Sequence, residues 1–173
     1  MKPQGHVIVS VGLGGLFWAR SRDFRTLLIS LIFGVLVDID HLVDYFYAER
    51  SFRFNLRAFL SSRSWARSGR VFVLFHGFEY LPFVFLFWQG MRGRKWAIAA
   101  TSAMSVHLLA DHVLNDLKPL GYFITYRLAH RFRASELIDQ RKVARVDARR
   151  ERRRRLAMEG RLPTTERILS IFR

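Results

Sequence analysis

Long apolar runs alternate along the chain with short, mostly basic connections. Four runs stand out, at about 6–19, 26–47, 71–90 and 96–116, and a weaker fifth covers 119–130. None alternates apolar and polar residues as a half-buried strand does, and all have helix length, so the pattern predicts an all-α fold. Runs two to four carry the ~20 residues that cross a hydrocarbon core, while the first is short and needs tilt or help from its neighbours. Apolar spans in lipid must be helices or closed barrels, because backbone groups find no water there. The expectation is a membrane-embedded bundle of about four helices over residues 1–130. A basic tail, 131–173, follows it, helical or partly disordered. In the tail, Ala134-Ser135-Glu136 offers a helix start, and Gly160 and Pro163 offer a stop.

Charge sharpens this picture. The 173 residues are one domain's worth, half of them hydrophobic, yet the formal net charge is +15. Residues 131–173 hold 14 Arg or Lys against six Asp or Glu. With four spans, Lys2, the connection 48–70 and the tail share one face, and Arg20, Arg22, Arg25, Arg92, Arg94 and Lys95 share the other. The first face is the more basic, which makes it cytoplasmic by the positive-inside bias. The connection 48–70 interleaves Arg50, Arg53, Arg57, Arg63, Arg67 and Arg70 with Phe52, Phe54, Phe59, Leu60 and Trp65. That is the composition of an interfacial stretch on anionic headgroups, and Arg152 to Arg155 read the same way; nucleic-acid binding ranks below lipid adhesion for both. Residues 1–19 resemble a signal peptide only loosely, since Arg20-Ser21-Arg22 follows directly and no small-x-small site precedes it, so a retained first helix is expected. Gly12-Leu13-Gly14-Gly15 lacks the third glycine and the preceding strand of a dinucleotide loop. Small residues for close helix contact are the better reading.

Ionisable residues inside these runs are costly and demand partners. On the four-span topology His6 opens the first helix; Asp38, Asp40, His41 and Asp44 close the second; His76 and Glu79 open the third; His107, Asp111 and His112 close the fourth. All fall at one end of the bundle. His107 and Asp111, four apart, share a helical face, as do His76 with Glu79 and Asp38 with His41. Asp40 lies ~200° from Asp38 on a regular helix, so either the helix breaks here or the two serve different centres. Without cysteine, any metal is held by nitrogen and oxygen. A mixed His and carboxylate set suits Zn²⁺, Mn²⁺ or Fe²⁺, with ligands enough for one or two ions. Asp40 or Glu79 is available as general base. The plainer alternatives are caps and salt bridges: Asp44 with Arg50, His112 with Asp116.

With Gly5-His6, Asp38-Ile39-Asp40-His41, His76-Gly77 and His107-Leu108-Leu109-Ala110-Asp111 in this order, residues 5–126 resemble the bacterial membrane-bound metal-dependent hydrolases, the YdjM-like inner-membrane family. The resemblance implies a multi-pass inner-membrane protein distantly similar to zinc-dependent phospholipase C, acting on phosphoesters. By position it makes His6, Asp38, Asp40, His41, His76, His107 and Asp111 candidate metal ligands. The family's longer His-Arg-Gly-x-Thr-His is replaced here by His76-Gly77-Phe78-Glu79, so Glu79 is expected to substitute as an oxygen ligand or one metal position is weakened. Two rival expectations stand beside a hydrolase. One is a non-enzymatic membrane protein whose cluster is structural and whose tail binds anionic lipid, nucleic acid or a partner. The other is an ion or proton pathway.

Overall fold

A computed structural model describes residues 3–56, 59 and 64–159. It is helical throughout, with no β-strand among the described residues. Helix α1, Pro3–Ser21, reverses through Arg22, whose left-handed φ of 54° makes the turn, into α2, Arg25–Val35. A 3₁₀ turn, Leu36–Asp40, joins α2 to α3, His41–Glu49. After the one-turn α4, Ser64–Ser68, the chain is irregular until α5, Tyr80–Arg92. Gly93, at φ 93°, turns it into α6, Arg94–Leu114. A second 3₁₀ turn, Pro119–Tyr122, then leads to α7, Ile124–Ala129, α8, Ala134–Leu137, and α9, Gln140–Met158.

In the bundle α2 lies between α1 and α6, α5 packs on α6, and α1 also reaches α6. Small residues let these helices approach closely, as expected where hydrophobic driving force is weak. A Cβ on Gly14 would come within 2.8 Å of Leu27 Cδ1 and 3.0 Å of Ser30 Cβ. One on Gly34 would come within 2.9 Å of Ser10 Cβ and collide with its Oγ. The glycine run in α1 is therefore a helix contact at Gly14, whereas Gly12 and Gly15 face open space. On α6 the buried face is Ala97, Ala99, Ala100 and Ala103. Asp23 ties the α1–α2 turn to the start of α6, accepting from Lys95 Nζ at 2.7 Å and Trp96 Nε1 at 3.0 Å. These bonds, that of Lys95 foremost, pull its carboxyl down to about 2.

Two helical runs are long and apolar enough to cross a membrane, Arg25–Glu49 with 25 residues and mean hydropathy 2.0, and Arg94–Leu114 with 21 residues and 1.3. The third expected span differs most from its expectation. Its first nine residues, Val71 to Glu79, are not helical, and α5 has only 13 residues, roughly 20 Å. Buried irregular backbone requires partners for its polar groups, and distant side chains supply them. The Asp44 carboxylate accepts the N–H groups of Phe72 at 2.7 Å and Val73 at 2.9 Å, so its partner is this segment and not Arg50. Asp40 Oδ2 accepts the N–H of Phe75 at 2.6 Å. From the other side the wholly buried Arg127 donates to the carbonyls of Phe72, Val73 and His76. Val73 is held at φ 33°, a left-handed conformation that costs a β-branched residue about 1–3 kcal/mol and persists only where the surroundings over-determine it.

Packing continues past residue 130. Ala134, Leu137 and Ile138 are buried in one core with Val71, Val73, Leu108 and Tyr122. The helix start expected at Ala134 is a single turn; the long basic helix begins only after Asp139, whose Oδ1 accepts the N–H groups of Arg141 and Lys142. The expected stop at Gly160 and Pro163 lies outside the described residues, as do Arg57, Leu60 and Arg63.

Candidate metal centre

Four separate pieces of chain place the polar cluster: α1, the Leu36–Asp40 turn, the irregular segment and the last third of α6. The 3₁₀ turn resolves the geometry of Asp38 and Asp40. Switching from i−4 to i−3 hydrogen bonding breaks the helix, and the two carboxylates reach different nitrogens of one imidazole. Asp38 Oδ1 lies 3.2 Å from His76 Nε2 and Asp40 Oδ2 lies 3.0 Å from His76 Nδ1.

Tautomers follow from these partners. Carboxylates only accept and His76 has one at each nitrogen, so a doubly protonated ring donates to both Asp40 and Asp38, while a neutral ring that keeps its Nδ1–H on Asp40 frees the Nε2 lone pair. A carbonyl only accepts, so His107 donates its Nδ1–H to Gly34 C=O at 3.0 Å. In their neutral forms both rings present the Nε2 lone pair to the centre, and those atoms are 3.0 Å apart. Two lone pairs at that separation repel unless a proton or a cation lies between them.

Two carboxylates approach these nitrogens. Asp38 Oδ1 is 3.5 Å from His107 Nε2, and Asp111 Oδ2 is 3.4 Å from His76 Nε2 and 3.5 Å from His107 Nε2. Together with the 3.2 Å and 3.0 Å contacts above, five edges of a four-atom N₂O₂ set run from 3.0 to 3.5 Å. A tetrahedral ion with bonds near 2.0–2.1 Å has edges of about 3.3 Å. The five spacings are of the size neighbouring ligands of one ion take, and this buried His and carboxylate group could hold a metal ion.

Two further imidazoles flank the set. His6 stacks on His107 at 3.9 Å between centroids, and its Nε2 is 3.0 Å from Asp111 Oδ1 and 3.9 Å from Asp38 Oδ2. Its ring is 1% exposed, and neither nitrogen has a hydrogen bond of good geometry among the described residues, although the Asp111 contact is close. His41 Nε2 lies 3.4 Å from Asp38 Oδ1. Two overlapping groups can each gather ligand atoms within 4.8 Å of one another: His6, Asp38, His107 and Asp111, and Asp38, His41 and His76. Asp38 belongs to both. It is 21% exposed and His41 39%, while His6, His76, His107 and Asp111 are sealed, so the centre opens on the Asp38–His41 side.

Six of the predicted site residues, His6, Asp38, His41, His76, His107 and Asp111, therefore come together. Asp40 stands behind His76, where it fixes the ring's tautomer and direction in place of ligating directly. Glu79 is drawn elsewhere: its oxygens accept the N–H groups of Ile124 and Thr125, both at 3.0 Å, and the Thr125 hydroxyl at 2.8 Å, capping α7. His76 and Glu79 diverge because the helix that would have stacked them three apart does not form there. Sequence reasoning passes over Arg127, although an arginine inside the apolar run 119–130 is itself a signal of a buried role. It also passes over the Gly34 carbonyl, which no sequence pattern marks. No family model, curated protein or solved structure matches the chain.

Proposed function

We propose that the chain is a membrane-bound, metal-dependent hydrolase, embedded as a helical bundle in a bacterial inner membrane with its basic tail in the cytoplasm. The supporting observation is the convergence of two imidazole Nε2 atoms and two carboxylates within 3.0 to 3.5 Å of one another along five contacts, in a place exposed only on the Asp38–His41 side. Zinc is the first choice for an N₂O₂ tetrahedron, with manganese or iron as alternatives, and His6 with the second oxygens of Asp111 and Asp38 offers room for a second ion. When bound, such an ion acidifies water toward neutrality and stabilises charge on a phosphoryl or acyl oxygen.

The protein's own groups divide the remaining work. Asp40 and the Gly34 carbonyl hold His76 and His107 with Nε2 inward. Asp38 sits at the rim, where a substrate arriving from the open side meets it first. His41, beside it and partly exposed, is placed to take or give a proton, a role its exposure favours over Asp40, buried behind His76, and over Glu79, whose oxygens accept from Ile124 and Thr125. A phosphoester is the substrate class best matched to this arrangement.

Elemental analysis of detergent-purified protein, beside Asp38→Asn and His107→Ala, tests the reading. Stoichiometric zinc, manganese or iron in the parent, lost in both variants while the helical circular-dichroism signal stays, supports it and justifies a phosphoester screen. Folded parent protein without metal, and with none taken up on addition, sinks it; the two Nε2 atoms would then share a proton in a structural polar network.

A further inference from the structure

Beside the centre lies a groove of about 410 Å³ lined by Ile32, Phe33, Leu36, Val37, Phe75, Tyr80, Phe83, Val84 and Met104. Three of its walls run directly into the cluster. Val37 precedes Asp38, Phe75 precedes His76, and Met104 lies three residues before His107 on α6. The lining is apolar but for the Tyr80 hydroxyl. Its open edge is flanked by Ile32, Leu36, Phe75 and Phe83, all exposed, and the exposed apolar surface continues along α5 through Leu86 and Phe87. Apolar side chains in that density on an outer face are stable against hydrocarbon, not against water. The groove therefore opens sideways toward lipid, and two of its lining residues, Val37 and Phe75, directly precede members of the polar centre in the chain. Its shape and chemistry match one flexible hydrocarbon chain joined to a polar ester head.

We propose that this groove seats one acyl chain of a membrane phospholipid, with the phosphoester head delivered to Asp38 and His41. The proposal deepens the hydrolase reading and rests on it for the position of the head; the position of the chain rests on the groove alone. It makes Leu36, Phe83 and Val84, on opposite walls, the residues that select for chain.

The test uses the full chain in nanodiscs of phosphatidylglycerol and phosphatidylcholine, doped with a phosphatidylglycerol bearing a diazirine at the end of one acyl chain. After illumination the adducts are mapped by peptide mass spectrometry. Adducts concentrated on Val84 and Met104, over Leu16, Leu86 and Val113 on the outer faces, are expected. Filling the groove with Leu36→Trp or Val84→Trp should lower the groove adducts about tenfold, the effect of losing roughly two methylenes of contact. Adducts spread evenly over inner and outer positions, or groove labelling unchanged in both tryptophan variants, would overturn the proposal, and the parent's map decides should a variant fail to fold. Metal content is measured on the same samples. Groove labelling in metal-free protein keeps the acyl site and overturns the hydrolase reading; metal-loaded protein without groove labelling does the reverse.

Discussion

Arg127 offers no ligand atom to the cluster, yet its removal should empty it. Its guanidinium donates to the Phe72 and His76 carbonyls at 2.6 and 2.8 Å and also to that of Val73, and its charge lies among Asp40, Asp44 and Glu79. Replacement by methionine keeps the volume and removes the burial cost of the cation. Against that gain, three carbonyls lose a charged donor worth about 1.5–3 kcal/mol each, and the neighbouring carboxylates lose their counter-charge. Deleting one partner of a buried charged set costs about 3–5 kcal/mol net, which for a chain of this length lowers Tm by roughly 6–20 °C. The strained Val73 then keeps its N–H bond to Asp44 but loses the hold on its carbonyl, and the segment carrying His76 relaxes. Thermal unfolding by circular dichroism in detergent, with metal content on the same samples, measures both effects. Arg127→Lys should fall between parent and methionine, because an ammonium keeps the charge but cannot fork across three carbonyls. An Arg127→Met protein with the parent's Tm and metal content would refute the idea that this side chain builds the segment.

Other perturbations separate framework from centre. Asp40→Asn leaves the direct donors in place but frees the His76 ring, so metal affinity should drop about 10–100-fold by competition titration with little change in helix content. Glu79→Ala removes the cap of α7 and should cost about 1 kcal/mol in unfolding while metal content stays at the parent's level; loss of metal would return Glu79 to the ligand set. Gly14→Leu pushes α1 off α2 and should destabilise by about 1–3 kcal/mol. Asp23, depressed from 3.8 to about 2 by Lys95 and Trp96, contributes its tie above pH 4 and loses it as pH falls through about 2. Trp96 fluorescence should report that midpoint and lose it in Asp23→Asn; a midpoint near 4 would mean the contact is not made. Truncation after Arg145 keeps Lys142, whose Nζ donates to the His112 carbonyl at 3.0 Å, and should leave metal content unchanged.

Much of the centre was legible because helices carry position simply. Antiparallel helices whose polar residues all fall at one end must bring those ends together, and His6, Asp38, His107 and Asp111 meet for that reason. The i, i+4 spacing of His107 and Asp111 on unbroken α6 places both side chains inward. The reasoning loses its hold at residue 71. Val71-Phe72-Val73-Leu74-Phe75 looks like the start of a span because apolar side chains report burial, not backbone conformation. What decides the conformation is the supply of partners for the backbone, and those partners, Asp40, Asp44 and Arg127, are 28 to 55 residues away. Once the helix is assumed, Glu79 is wrongly stacked beneath His76. The helix break at Leu36–Asp40 was open to inference from the angular spacing of Asp38 and Asp40, though not the division of labour it produces.

The position of Arg127 also sets a timetable. Every candidate ligand, from His6 to Asp111, is synthesised before it, and so are α1 to α6. A nascent chain stopped at residue 120 would possess each donor but no cation to draw the Val71–Glu79 backbone into place. The cluster is thus completed only by a residue that follows every candidate ligand, so a fragment ending short of Arg127 would hold the donors without the side chain that shapes the segment carrying His76.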